Sequence, residues 1–384
     1  MNLSAIQMLE RLVAFPTVSA NSNLDLIGFV KDYLAAHGVA ATVVPDETGE
    51  KAALFATIGP MVEGGIILSG HTDVVPAEED TWVSSPWTLT ARDGRLYGRG
   101  SADMKGFDAL VLAAVPEMVK RDLKAPIHIA LSYDEEIGCR GVQPMIDRMG
   151  LTIPQPRAVI VGEPSMMLPV NGHKGSTAFY TDVTGYAVHS SRIDIGVSAV
   201  MVAARLIGWL EARMEKAARE ADPDSLFVPP YTTVHCGMIE GGTAANIVAD
   251  HCRFITDIRV VPPDDAAAII AEYEAFIRET VEPGMKAKWA GAGIAIERRS
   301  HVPPLMPEPG SEAERLVAEL GVNASPGVVA FGTEGGMFRE AGWPTIICGP
   351  GDIAVAHKAN EYIEENQMVA GERFMSRLID RLSA

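Results

Sequence analysis

Three short apolar runs each end in a histidine or a carboxylate, and this recurrence constrains the chain more than any other feature. Gly65-Ile66-Ile67-Leu68-Ser69 leads into Gly70-His71-Thr72-Asp73. Ile127–Tyr133 leads into Asp134-Glu135-Glu136, and Ala158–Gly162 leads into Glu163-Pro164. Short continuous apolar runs bounded by turn residues read as buried strands. Ala40–Val44 and Ala53–Ile58 add two more, and Val328–Ala330 and Pro344–Cys348 resume the style late in the chain. Helical periodicity marks residues 3–15, 24–37 and Asp108–Lys120; in the second, Leu24, Ile27, Val30 and Leu34 recur at three- and four-residue steps before Gly38. Strands interleaved with helices predict an α/β sheet whose ligands gather at the carboxyl ends of its strands.

The residues placed at those ends are of one chemical kind. His71 and Asp73, two apart on an extended chain, share a side and suit a metal ligand with its orienting partner. Asp103 lies in a glycine-rich loop, Gly98-Arg99-Gly100-Ser101-Ala102-Asp103-Met104-Lys105-Gly106, and His357 follows Gly349-Pro350-Gly351. Taken singly, an acidic residue after a strand is ordinary surface and a lone histidine is a structural hydrogen-bonder. Together, so many carboxylates in one crevice would repel unless cations neutralise them. Two histidines and three carboxylates suit two divalent ions sharing one carboxylate; mixed nitrogen and oxygen ligands favour zinc, with cobalt or manganese as substitutes. The adjacent Glu135 and Glu136 point apart on an extended segment, one toward metal and one available as general base.

A chain of 384 residues suggests two domains. After Gly172-His173-Lys174-Gly175 the pattern changes. Strand Thr177–Thr184, helix Gly196–Met214, strands Thr232–Ile239 and Cys252–Val260, helix Asp264–Glu282 and a strand at Lys286–Glu297 form an α+β unit. We expect a first domain of residues 1–175 and 296–384, interrupted by a smaller one at 176–295. A net charge of −18 argues against nucleic acid and an anionic membrane surface. No run approaches the roughly 18–20 apolar residues of a membrane span. The start of the chain lacks the pattern of a signal peptide, and four scattered cysteines suit a reduced, cytoplasmic protein.

Competing motifs are absent: neither phosphate loop nor Gly-x-Gly-x-x-Gly, no Gly-x-Ser-x-Gly elbow, no His-Glu-x-x-His. What the chain does carry, in order, is Gly-His-Thr-Asp-Val-Val-Pro, Gly-Arg-Gly-Ser-Ala-Asp-Met-Lys-Gly, Asp-Glu-Glu-Ile-Gly-Cys, Gly-Glu-Pro and Gly-Pro-Gly…Ala-His…Asn-Glu-Tyr. From the first helix to Glu361 it resembles the di-zinc amidohydrolases, which include acetylornithine deacetylase, succinyl-diaminopimelate desuccinylase, aminoacylase and glutamate carboxypeptidase. The resemblance implies a zinc-peptidase-like catalytic domain with a central mixed sheet flanked by helices, and an inserted lid and dimerisation domain. It puts His71 and Glu163 on one zinc, Glu136 and His357 on the other, and Asp103 between them. Asp73 would orient His71, and Glu135 would be the general acid/base. His189, in Gly185-Tyr186-Ala187-Val188-His189, matches a histidine that reaches a neighbouring active site in a homodimer to stabilise the oxyanion. Asn246 and Arg259 match positions that bind the substrate carboxylate, a task suited to the planar fork of arginine.

Within the family, Gly332-Thr333-Glu334-Gly335-Gly336 and Cys348-Gly349-Pro350-Gly351-Asp352-Ile353 look most like acetylornithine deacetylase. That implies hydrolysis of N-acetylornithine to ornithine and acetate, a step of arginine biosynthesis, with Glu334 facing the ornithine ammonium. Two departures point to other N-acyl amino acids or amides. Ser101-Ala102 replaces the usual threonine and cysteine, and the segment after Ser191 lacks the usual proline and asparagine. A dipeptidase or carboxypeptidase of the same chemistry, and a catalytically silent metal-binding relative, are the remaining alternatives.

Overall fold

The computed structural model describes residues 2–384, which contacts divide into two units. The first comprises residues 2–172, 307–328 and 333–384, and the second residues 173–306 and 329–332.

An eight-stranded mixed sheet organises the first unit. Across the sheet run Ala41–Pro45, Ala52–Ile58, Ile127–Ser132, Ile66–His71, Ala158–Pro164, Thr345–Gly349, Val170–His173 and Gly327–Val329. Four central neighbours, Ile127–Ser132, Ile66–His71, Ala158–Pro164 and Thr345–Gly349, are parallel. Every residue of these four strands is buried, which is why each reads as a continuous apolar run. Helix Lys105–Met118 packs on two of them and is backed by helices Ala5–Val13 and Glu365–Ser383. Leu24–Ala36 and Val142–Gly150 pack on Ala52–Ile58. Because the four strands run the same way, their carboxyl ends open on one edge. The register sets His71 opposite Ser132 and Gly349 opposite Pro164.

The second unit is a four-stranded antiparallel sheet in the order Thr233–Gly241, His251–Val260, Gly175–Thr184, Gly293–Val302. Burial alternates along Gly175–Thr184 and His251–Val260, as expected for a sheet covered on one face. Phe179, Val183, Phe254 and Ile258 meet Leu206 and Leu210 of helix Ala199–Arg219 and Ile270 and Tyr273 of helix Ala266–Phe276.

Two expectations are corrected in this unit. The helix expected over Asp264–Glu282 is Ala266–Phe276, followed by a wide π turn at Ile277–Val281 and a second helix, Glu282–Lys288. Pro283 has no N–H to donate and stands in the first turn of that second helix. Lys286 therefore belongs to a helix, and the strand expected from it begins at Gly293. The structure also contains elements not anticipated above: helices Val142–Gly150, Glu312–Glu319 and Glu365–Ser383, and the hairpin Thr90–Arg92 with Arg95–Tyr97. Among the described residues no helix is long and apolar enough to cross a membrane.

His128, on the central strand Ile127–Ser132, is 1% exposed, and its Nδ1 meets the Thr57 hydroxyl at 2.9 Å. Burial lowers its pKa from 6.5 to about 4. The unfolded chain therefore binds the extra proton first, and stability is lost as pH falls from 6.5 toward 4. At about 1.4 kcal/mol per unit the loss is on the order of 3 kcal/mol. In chelator-treated protein, His128→Gln is expected to melt with a shallower acid dependence than wild type over that interval; equal slopes would remove His128 from this role.

Candidate metal centre

The carboxyl edge of the parallel strands delivers the residues one by one. His71 is the last residue of its strand and fully buried. Glu163 sits within Ala158–Pro164, 4% exposed, one residue after Gly162. A Cβ at Gly162 would lie 2.0 Å from the Phe107 ring, so only glycine lets that helix residue pack beside the ligand. Glu135 and Glu136 follow Ile127–Ser132 after Asp134, which turns the chain with φ +55. Asp103 stands two residues before helix Lys105–Met118, and His357 stands on a loop with φ +58.

These side chains meet. His71 Nε2 lies 3.1 Å from Asp103 Oδ1 and 3.8 Å from Glu163 Oε1. His357 Nε2 lies 3.2 Å from Asp103 Oδ2 and 3.0 Å from Glu136 Oε2. Asp103 thus turns one oxygen to each histidine. Donor atoms of His71, Glu135 and Glu163 all fall within 4.8 Å of one another, as do those of His71, Asp103 and Glu136. Donors around a tetrahedral cation, each about 2.0–2.2 Å from it, stand about 3.3–3.6 Å apart, close to these separations.

Electrostatics make the same point. Nδ1 of His71 is 2.9 Å from the Asp73 carbonyl oxygen, a bond that commits its proton there. Nε2 then presents a lone pair to the Asp103 carboxylate, and two acceptors at 3.1 Å need a proton or a metal cation between them. Burial pushes Glu163 well up, with Asp103 and Glu135 adding to the effect. Burial, opposed in part by His71 and reinforced by Glu136 and Asp103, brings Glu135 to about 8. Burial and Asp103 also raise Glu136, whose Oε1 is buried without a hydrogen-bond partner. Hydrogen bonds donated to Asp103 and Glu136 lift His357 to about 10. Burial opposes the charged form of His71, yet Asp103 and Asp73 outweigh it and raise its pKa well above 6.5. Protonated histidines are the charge balance the protein can offer by itself; divalent cations would replace those protons. The donor set fits such ions.

Asp73 does more than the expected orienting of His71. Its carbonyl is the close partner of Nδ1, while its Oδ1 is 3.5 Å away. The carboxylate accepts from the Ser19 hydroxyl at 2.7 Å and from the backbone N–H groups of Glu135 at 3.1 Å and Glu136 at 3.3 Å. One buried carboxylate therefore holds the segment that carries both glutamates. Ser19 was not among the sequence candidates; a serine in a loop carries no signal of such a contact. The Cys139 thiol also reaches Glu135 Oε1, at 3.3 Å.

Glu334 requires a correction. It is fully buried, and its oxygens accept from the Ser69 hydroxyl at 2.5 Å and the Ser132 hydroxyl at 2.8 Å. Both serines lie on the central strands, so Glu334 braces the sheet beneath the centre and does not face a substrate ammonium. The other three candidates lie in the second unit. His189 begins the short turn Ser190–Arg192, its Nδ1 accepting from the Ser191 N–H at 3.3 Å and 2.8 Å from the Ser191 hydroxyl. Asn246 runs beside it, its carbonyl accepting from the Ser190 N–H. Arg259 pairs with Asp257 at 2.9 Å on the same face of their strand.

Histidines and carboxylates gathered at the carboxyl edge of an α/β sheet, close enough to hold a metal ion, suit a metal-dependent hydrolase. The profile of Peptidase family M20/M25/M40 matches residues 67–381. The acetylornithine deacetylase of Myxococcus xanthus is 35% identical over 382 residues, covering 97% of this chain and 95% of that one. That of Photorhabdus laumondii is 32% identical over 383 residues, covering 98% and 96%. Among solved structures, an M20 family metallo-carboxypeptidase of Sulfolobus solfataricus superposes with a TM-score of 0.77 at 17% identity, over 99% of each chain. A dinuclear metal-binding M20 peptidase of Bacillus subtilis gives 0.67 at 15% identity, over 98% and 96%. The chain belongs to the M20/M25/M40 family and is a metal-dependent hydrolase.

Asp73→Ala removes the acceptor shared by Ser19 and the two glutamate N–H groups. Zinc affinity, measured by competition with a chromophoric chelator, is expected to fall about 10–100-fold; wild-type affinity would show that the glutamates are held without it.

Proposed function

We propose that this hydrolase cleaves the amide bond of an N-acyl amino acid, with N-acetylornithine, released as ornithine and acetate, the first candidate substrate. The observation that carries this is the pair of near full-length relatives at 32–35% identity, both acetylornithine deacetylases. The proposed centre holds two zinc ions, replaceable by cobalt or manganese. His71 and Glu163 would hold one, Glu136 and His357 the other, and Asp103 both.

Cations bound there would supply an acidified water and a polarised carbonyl. The chain's own groups do the remainder. Glu135, whose pKa burial raises in the metal-free site, stands beside the cluster of donor atoms and is assigned the proton that must be taken and then returned. It takes the proton of the attacking water. The C–N bond of the tetrahedral adduct breaks, and Glu135 delivers the proton to the departing amine. His189 is assigned to the oxyanion: with Nδ1 accepting from Ser191, the ring proton lies on Nε2 and is available to donate. Asn246 and Arg259 are assigned to the substrate carboxylate. Glu135→Ala is expected to lower release of free amine from N-acetylornithine by about 10²–10⁴-fold or more while metal content stays at the wild-type level. The same assay across other N-acyl amino acids and dipeptides decides the substrate; turnover of dipeptides alone would overturn the deacetylase assignment.

A cytoplasmic location and a homodimer are further parts of the proposal, and an exposed edge of the second unit favours the dimer. Strand Thr233–Gly241 pairs on one side only, and its Met238 and Ile239 are 74% and 55% exposed; Met201, on helix Ala199–Arg219, is 66% exposed. An open apolar edge of this kind is normally covered by another chain. A double substitution, Met238→Glu with Ile239→Glu, is expected to convert a dimer to a monomer in sedimentation and to depress turnover with it. A wild-type monomer would remove His189 from a neighbouring site.

A further inference from the structure

The two halves of the centre are held in different ways. His71 and Glu163 belong to paired parallel strands, so sheet hydrogen bonds set their spacing. Asp103 and His357 both come from loops, and the His357 side chain is 53% exposed. Something other than the sheet must hold those loops in register.

Glu361 occupies that position. It is 1% exposed and all its acceptor capacity is used. Oε2 accepts from Arg99 Nη1 at 2.7 Å and from the Gly100 N–H at 3.0 Å. Oε1 accepts from the Ala102 N–H at 2.9 Å and from the N–H of Asp103 itself at 3.1 Å. The Glu361 carbonyl accepts from the Gly98 N–H at 3.0 Å. Gly100, with φ +79, makes this convergence possible: a Cβ there would stand 2.6 Å from Val74. Arg99 extends the network, donating to the Lys358 carbonyl beside His357 and to the Pro76 carbonyl beyond Asp73. Between His357 and Glu361 the chain turns back with left-handed conformations at His357 and Asn360, and the Asn360 side chain accepts from the Val83 N–H at 2.8 Å.

We propose that Glu361 is the positioning residue of the loop-held half of the centre: with Arg99, it sets the spacing of Asp103 and His357 and thereby the affinity for the cation that these two share with Glu136. The proposal rests on the two-cation assignment above. Three bonds accepted from backbone N–H groups of one ligand loop, at Gly100, Ala102 and Asp103, and a charged partner that binds the other ligand loop, are what a spacing device requires; a merely buried ion pair would need only Arg99.

The test is titration of chelator-stripped, full-length protein with Zn2+ and with Co2+, followed by calorimetry and, for cobalt, by visible absorbance. Wild type is expected to bind in two steps. Glu361→Gln keeps the size of the side chain but turns a donor toward backbone N–H groups, and is expected to weaken one step about 10–100-fold and the other, which shares only Asp103 of the loop-held ligands, less. Because this leaves Arg99 buried and unpaired, the charge-balanced double variant R99M/E361Q is measured beside it, with the same selective loss expected. Two steps of wild-type affinity in either folded variant, or equal weakening of both steps, would overturn the role of Glu361 alone. A single step in wild type would instead overturn the two-cation assignment.

Discussion

Everything at the carboxyl edge of the sheet depends on one electrostatic constraint: buried acceptors face buried acceptors across about 3 Å, and positive charge must lie between them. His71, with its Nδ1 proton given to the Asp73 carbonyl, can meet Asp103 only through a proton or a cation. His357 meets Asp103 and Glu136 under the same condition. Placing Asp103, Glu136 and Glu163 together opposes folding in the absence of compensation, because each loses hydration and gains like-charged neighbours. A centre built this way trades stability of the empty protein for affinity toward divalent ions.

The compensation extends outward from the ligands as a set of carboxylates whose partners are mostly neutral. Asp73 is satisfied by Ser19 and two backbone N–H groups, Glu334 by two serines, and Glu361 by three backbone N–H groups and Arg99. Apart from the Arg99 pair, these are hydrogen bonds to dipoles rather than ion pairs, so they hold ligand-bearing segments in place without contributing cations that would compete with metal charge. Glu135, to which the proposed function assigns proton transfer, is bordered by His71 and Glu163 and touched by Cys139.

How much of this was legible in the chain follows from the same physics. The central strands could be read because burial on both faces leaves an unbroken apolar run, and His71, Glu135, Glu136 and Glu163 because each stands at the end of such a run, whereas Asp103 and His357 stand in loops. The helix expected over Asp264–Glu282 and the strand after it were misjudged because Pro283 and the turn at Trp289 interrupt a stretch whose apolar spacing continues through them. Glu334 was misjudged for a different reason. A carboxylate in a glycine-rich segment looks exposed, and only the tertiary fold brings Ser69 and Ser132 to it across more than two hundred residues. Ser19 and Glu361 escaped notice likewise: the partner of Ser19 is Asp73, 54 residues away, and most partners of Glu361 are backbone N–H groups, which no residue pattern displays.

The corrected place of Glu334 changes where selectivity must be sought. The metal half of the chemistry resides in the first unit, and its carboxylates are committed to cations or to neighbouring dipoles. The departure at Ser101-Ala102 belongs to that committed part: both residues are buried in the loop that Glu361 gathers, so the change from threonine and cysteine is absorbed by packing rather than presented to a substrate. The departure after Ser191 is of another kind. It follows directly on the turn that fixes His189, where Arg192 and Asp194 pair on the surface. Under the proposed function, selectivity is to be sought in the second unit, around His189, Asn246 and Arg259.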